Sequence, residues 1–331
     1  MEKKKALLII NPISGTGNKK GLDERVTARL SATGIDVDTV WTKAAGDATN
    51  LAREAISAGY TMVLAAGGDR PLPATVAAGT VNETAAALCG SNVTLGIIPC
   101  GSGNGLARHL NIPIDVYAAI EIIANGDAMT CDHCTVNGKP FFCTFGTGFD
   151  AAVSHKFAQS KHRGKMTYVK NTFNEYMHYE PEEYVISANG DVITERAFVV
   201  AVCNASQYGN NAYIAPHASI CDGLFDVTII HYGNVLTTAL VGLDLMAGTI
   251  EKNMLIHTFK AKHVHISRKK EGPCHIDGEP LIMQPELDVE CHEHSLRIFT
   301  PGADTPIRPL LTPIISMFND IGYTLRSLFK K

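Results

Sequence analysis

Three short stretches in the first hundred or so residues combine glycine with small polar side chains. They are Asn11-Pro12-Ile13-Ser14-Gly15-Thr16-Gly17, Gly67-Gly68-Asp69 and Pro99-Cys100-Gly101-Ser102-Gly103-Asn104-Gly105. Backbone N–H groups unshielded by a Cβ can close around phosphate oxygens, so the chemistry on offer is anion cradling. One such loop says little, because any left-handed turn asks for glycine. Three of them, each after an apolar run, say much more. None leads into the Gly-Lys-Ser/Thr of a Walker A loop, and the first lacks Gly-x-Gly-x-x-Gly spacing. Further on stand two carboxylate turns, Asp222-Gly223 and Asp277-Gly278-Glu279. Each alone reads as a plain turn.

The elements that must position these residues follow from periodicity. Ala6–Ile10 is a buried strand ending at the first loop. Leu22, Val26 and Leu30 recur at helical spacing. Ile35, Val37, Thr39 and Trp41 alternate as a strand does, and Asp47 suits the N-cap of a helix carrying Leu51, Ala55 and Ile56. Thr61–Ala66 and Val93–Ile98 are buried strands that run into the second and third loops, and Asp115 caps a helix through Ala124. The βαβα order predicts a parallel sheet with covered faces, with the three loops at its carboxyl edge, where such sheets bind ligands.

Past residue 130 the pattern changes. Asn137-Gly138 lies between Cys131–Val136 and Pro140–Phe145, and Asn189-Gly190 between Tyr184–Ala188 and Val192–Val202, both signalling two-residue hairpins. Strands follow at Phe225–His231, His257–Ser267, Leu287–Cys291 and Ser295–Phe299, with helices around Met166–Tyr179 and Val235–Ala247. The expected fold is an α/β N-terminal domain with a parallel sheet over 1–128, then a mainly antiparallel β-sandwich domain over 129–304. A helical tail, 305–331, is expected to return to the first domain rather than lie on a membrane.

Composition agrees with two domains. The chain has 331 residues, 45 % of them apolar and 19 % charged, with a formal net charge of −4. That excludes a disordered chain and a generally basic nucleic-acid binder. No apolar run reaches the length of a membrane span. Ala6–Ile10, after Met1-Glu2-Lys3-Lys4-Lys5, is too short for a signal sequence. Nine scattered cysteines make no disulfide framework and point to a reduced cytoplasmic protein. Cys131-x-x-Cys134 and the histidines His133, His263, His265, His275, His292 and His294 read as strand residues rather than metal ligands. Lys161, His162, Arg163 and Lys165 read as a solvated loop able to touch anionic headgroups.

Taken together, Asn11-Pro12-x-Ser14-Gly15, Gly67-Gly68-Asp69 and Pro99-x-Gly101-Ser102-Gly103-Asn104 resemble the diacylglycerol kinase catalytic-domain family, which includes bacterial lipid kinases and sphingosine kinases. Gly146-x-Gly148-Phe149-Asp150-Ala151, Asn204…Tyr208-Gly209…Asp222-Gly223-x-Phe225-Asp226 and Asp277-Gly278-Glu279 are similar to its later motifs, in order, over about residues 6 to 300. The resemblance implies transfer of the γ-phosphoryl of ATP to a lipid hydroxyl. Asn11, Pro12, Ser14, Gly15, Thr42, Gly67, Gly68, Asp69, Gly79, Thr80, Asn82, Glu83, Gly101, Ser102, Gly103 and Asn104 would bind ATP. Asp69 would orient the magnesium–nucleotide or the hydroxyl, and Glu279 would be the general base. A structural Mg²⁺ would rest on Ser219, Asp222 and Leu224. The implied partners are a lipid substrate and, transiently, the inner membrane face. A homodimer is compatible with it, and nucleic acid is not expected. Gly105, where many diacylglycerol kinases carry aspartate, hints at sphingoid or ceramide-like acceptors.

One departure stands out. The family's Gly-Gly-Asp-Gly-Thr-x-Asn-Glu is broken after Asp69 by Arg70–Ala78, before Gly79-Thr80-Val81-Asn82-Glu83. Closing such a loop costs about 3 kcal/mol or less. Either it bulges outward and the cradle re-forms around its base, or it silences the site and leaves a non-catalytic nucleotide- or lipid-binding relative. NAD kinase is the other alternative.

Overall fold

Strand β1 (Lys4–Ile10) shows how the first unit is built. Its side chains alternate between two cores. Ala6, Leu8 and Ile10 pack with Leu22, Val26 and Leu30 of helix α1 (Leu22–Ser31). Leu7 and Ile9 face the other way, into a core with Ala48, Ala52 and Ala55. A strand buried on both faces must be apolar throughout, which is why the run is continuous rather than alternating. The computed structural model describes residues 4–14, 19–68, 79–101, 103–159, 179–209 and 211–301. The insertion 70–78, the run Lys161–Lys165, most of the helix expected at Met166–Tyr179 and the tail 305–331 lie outside them.

The first unit continues with β2 (Ile35–Trp41), α2 (Asp47–Ser57), β3 (Met62–Gly67), α3 (Thr80–Leu88), β4 (Thr94–Pro99), α4 (Gly105–His109) and α5 (Val116–Asn125). Its strands are parallel, in the order β2-β1-β3-β4. Asp115 caps α5 by accepting the Ala118 N–H at 2.9 Å. Asp47 does not cap α2. Gly46 is the N-cap residue, and the Asp47 carboxylate turns back onto the N–H groups of Lys43 and Ala44.

The second unit contains β5 (Ala128–Val136), β6 (Lys139–Phe141), β7 (Thr144–Gly148), α6 (Phe149–Gln159), β8 (Glu182–Ala188), β9 (Asp191–Cys203), β10 (Phe225–His231), α7 (Val235–Ala247), β11 (Ile256–Ala261), β12 (His263–Arg268), β13 (Gly272–Ile276), β14 (Glu279–Met283) and β15 (Glu286–Phe299). Both Asn-Gly hairpins form, with positive φ at Asn137, Gly138, Asn189 and Gly190. A separate core contains Tyr184, Ile186, Phe225, Val227, Val264 and Ile266.

Three strand expectations need correction. The run Pro140–Phe145 breaks at Phe142–Cys143, where backbone N–H groups turn to a buried carboxylate instead of a neighbouring strand. The run His257–Ser267 breaks at Lys262, whose carbonyl accepts the Cys291 N–H from β15. Leu287–Cys291 and Ser295–Phe299 are one strand, β15, with an irregularity between His292 and Leu296 and a left-handed His294. β15 pairs with β12 and β5 and ends parallel to β4, Arg297 opposite Thr94. One mixed sheet therefore runs through both units, and the core under β1 also takes in Cys131, Phe142, Ala205, Ile220 and Leu296 from the second.

Candidate active site

The ends of the parallel strands bring the predicted loops side by side. Asn11 N–H donates to Ala66 O (3.1 Å), Thr42 N–H to Ile10 O (2.9 Å), and Cys100 N–H to Gly67 O (2.7 Å). The glycines are demanded by contact. A Cβ on Gly101 would stand 2.5 Å from Gly68 Cα, and one on Gly67 would stand 2.6 Å from Thr80 Cβ. Asn104, left-handed at φ 51° and buried, clasps Gly101 by accepting its N–H and donating to its carbonyl. Asn104 thus shapes the third loop from behind. Gly103 is open around its Cα. Ser14 is buried in the first loop. Gly15, Asp69 and Ser102 lie outside the described residues.

Sequence reasoning missed Lys19. Its ammonium donates to Ser14 O at 2.7 Å and also to Asn11 O and Ser14 Oγ. It is buried, and burial pulls its pKa below the usual lysine value. The charge braces the first loop and makes its surroundings favourable to an anion.

The described residues on either side of the insertion lie together. Val81 N–H approaches Gly68 O at 3.4 Å, and Gly67 touches Thr80. The break in sequence is therefore not a break in space. From α3, Asn82 Nδ2 donates to Asp277 Oδ2 at 2.6 Å, joining residues 195 positions apart. The Asp277 carboxylate also accepts the N–H groups of Phe142 (3.0 Å), Cys143 (2.7 Å) and Thr144 (2.9 Å). Burial pushes its pKa up, and those N–H donors pull against that. Asn82 Oδ1 is buried with no hydrogen-bond partner. An acceptor oxygen so placed fits a cation or a hydroxyl, not a phosphate oxygen.

Glu83, expected at the nucleotide, is used elsewhere. Its two oxygens accept Gly46 N–H (2.9 Å) and Ala48 N–H (3.1 Å), supplying the cap that Asp47 does not. Two otherwise orphaned helix donors and a positive helix end hold the carboxylate there.

Asp277 and Gly278 form the left-handed turn of the β13–β14 hairpin, and Glu279, half-buried, opens β14. The hairpin reading and the catalytic reading of this motif are thus compatible. Behind the turn lies a network that the motifs contained but did not explain. Asp150 Oδ2 accepts Tyr208 OH at 2.8 Å and faces His275 Nε2 at 2.9 Å. His275 Nδ1 accepts the Gly278 N–H at 3.3 Å. With Nδ1 accepting, Nε2 carries the proton that goes to Asp150. Tyr208 precedes Gly209, a Cβ on which would lie 3.3 Å from Gly103 O. The third glycine loop, the Asp150 motif and the turn before Glu279 are thereby tied together.

The expected metal trio is not assembled for a metal. Asp222 Oδ2 lies 2.7 Å from Lys260 Nζ, and Asp222 Oδ1 accepts Leu224 N–H at 3.2 Å. Ser219 Oγ accepts Cys221 N–H at 3.3 Å. The one charged member of the trio already has a cation, so Ser219, Asp222 and Leu224 do not fit a resident dication. Among the described residues, no group of three or more His, Cys, Asp or Glu side chains is gathered for a metal.

A family model described as the diacylglycerol kinase catalytic domain matches residues 5–136, and one described as the YegS C-terminal NAD kinase beta sandwich-like domain matches residues 143–300. The diacylglycerol kinase of Bacillus subtilis (strain 168) is 29 % identical over 297 residues, covering 88 % of this chain and 95 % of its own. That of Mycobacterium tuberculosis (strain ATCC 25618 / H37Rv) is 28 % identical over 270 residues, covering 79 % and 84 %. A crystal structure of a diacylglycerol kinase from Bacillus anthracis str. Sterne shares the fold, with a TM-score of 0.69 at 22 % identity over 92 % of this chain and 100 % of that one.

Proposed function

We propose that this chain, which belongs to the diacylglycerol kinase catalytic-domain family, moves the γ-phosphoryl of ATP to a lipid hydroxyl. The observation that carries this reading is the Asn82–Asp277 hydrogen bond. It couples the start of α3, just past the insertion, to the turn that presents Glu279. The approach of Val81 N–H to Gly68 O, on either side of the insertion, also supports a working cradle.

Bound ATP with its magnesium would supply the transferable phosphoryl group and neutralise its charge. The chain's part is positioning and proton transfer. The loop N–H groups not already spent within the fold, as those of Asn11, Cys100 and Gly101 are, would hold the phosphates, with the Lys19 charge behind the first loop. Asn82 Oδ1 offers an acceptor to the cation or to a hydroxyl. Glu279 would take the acceptor hydroxyl's proton as the oxygen bonds to the γ-phosphorus and ADP leaves, while Asp277 and His275 hold the turn on which Glu279 stands. A lipid acceptor also requires approach to a bilayer. Helix α7 exposes Leu236, Leu240 and Leu243, and no charged side chain lies between Val235 and Leu243. No helix among the described residues is long and apolar enough to cross a membrane.

The test is ADP release with diacylglycerol, sphingosine, ceramide and NAD as acceptors. Turnover on a lipid is expected, with Glu279→Gln lowering kcat by roughly 10²–10⁴-fold, the usual share of a general base. Preferential phosphorylation of NAD, or ATP binding without turnover on any of these lipids, overturns it.

A further inference from the structure

The loop from Ser219 to Leu224 is where the family resemblance implies a structural dication, and the neighbouring side chains argue for a different device. Asp226, in β10, is the direct cross-strand partner of Lys260 in β11. Lys260 Nζ reaches past it to Asp222, lying 2.7 Å from Asp222 Oδ2 and 3.4 Å from Asp226 Oδ2, which is buried and in ion-pair contact without a hydrogen bond. The strand that carries the lysine is itself held, since its carbonyl accepts Asn189 Nδ2 at 2.8 Å. The Asp226 side chain is only 15 % exposed. Burial pushes its pKa up, and the neighbouring ammonium pulls against that.

The rest of the loop is fastened by backbone donors. Gly223, left-handed at φ 73°, gives its N–H to the buried Asp132 Oδ2 at 2.8 Å. Leu224 N–H goes to Asp222 Oδ1. Hard dications collect several oxygen ligands with enough carboxylate charge to balance them. Here two carboxylates already share one ammonium, and an entering dication would face that ammonium at short range. Take the lysine away, and the two carboxylates are left without their cation.

We propose that Lys260 is a built-in cation standing in for a structural metal, so that the Asp222–Leu224 loop is held without a divalent ion. A tethered ammonium is always present, so the loop's order is independent of the ion supply. An untethered metal would add stability only in proportion to its free concentration. Neither these ion pairs nor their test depends on phosphoryl transfer.

The test is thermal melting of the full-length protein, without nucleotide, in excess EDTA and in millimolar MgCl₂. The wild type is expected to melt at the same temperature in both. Lys260→Met is expected to melt several degrees lower in EDTA and to recover in part with MgCl₂, because the freed Asp222 and Asp226 carboxylates now accept the ion. Adding Asp222→Asn to that variant should remove the recovery, and Lys260→Arg should restore the metal-independent wild-type behaviour. A wild type that loses stability in EDTA and regains it with Mg²⁺ overturns the proposal, as does a Lys260→Met protein that melts without responding to Mg²⁺. Should Lys260→Met not fold, Mn²⁺ titration of the wild type followed by electron paramagnetic resonance decides. No tight site is expected, and one bound Mn²⁺ per chain that Asp222→Asn abolishes would refute it.

Discussion

Replacing Asn82 by Asp changes one atom's chemistry at a buried junction and leaves its shape. Asn82 Nδ2 now donates to Asp277 Oδ2 at 2.6 Å. In Asn82→Asp two carboxylate oxygens would meet at that separation. At an effective dielectric of ~20 the repulsion is about 6 kcal/mol. Protonating one of the pair avoids it, and at pH 7.5 that costs about 4–5 kcal/mol for an ordinary carboxyl. The cheaper route wins, so the variant keeps a proton, and the new O–H donates to Asp277 much as the amide did. The shared carboxyl pKa is therefore raised in the fold. A raised pKa makes the folded state bind the proton more tightly, so stability is full at low pH and is lost as pH rises through neutrality. Relative to the wild type, the penalty should grow by about 3 kcal/mol between pH 5 and pH 7.5, at ~1.4 kcal/mol per pH unit. Urea unfolding of both proteins at the two pH values measures it. A penalty that stays flat with pH, or stays below ~1 kcal/mol at pH 7.5, refutes the contact between α3 and the Asp277 turn.

Two further outcomes test the placement of single side chains. Glu83→Gln leaves an amide facing one of the two α2 donors; it should cost about 1–2 kcal/mol in urea unfolding with kcat unchanged, whereas loss of kcat in the folded variant would return Glu83 to the nucleotide. His133 is pushed down to about 4 by burial and by its neighbour His292. The fold therefore excludes a proton that the unfolded chain binds, and stability should fall by about 1–3 kcal/mol as pH drops from ~6.5 towards ~4. His133→Gln should flatten that slope, and an unchanged slope would locate the acid sensitivity elsewhere.

Local chemistry was legible along the chain. The spacing of Leu22, Val26 and Leu30, the continuous run of β1 and the two Asn-Gly turns each depend on a few consecutive residues, and each appears in the structure as expected. So does the gathering of the three glycine loops, because parallel strands all end on one edge. Breaks inside the later strands were not legible. Nothing around Phe142 and Cys143 says that their N–H groups prefer a carboxylate at position 277 to a neighbouring strand.

Residue types alone determined that glycine loops close the parallel strands and carboxylate turns follow them, since glycine spacing and turn chemistry are written in neighbours. Tertiary structure decided what each carboxylate does. Asp277 holds α3, Glu83 caps α2, Asp150 faces a histidine and a tyrosine, and Asp222 meets a lysine. A carboxylate's role depends on which donor or charge lies within about 3 Å and on how much water is excluded. Both are set by packing between residues as far apart as Asn82 and Asp277.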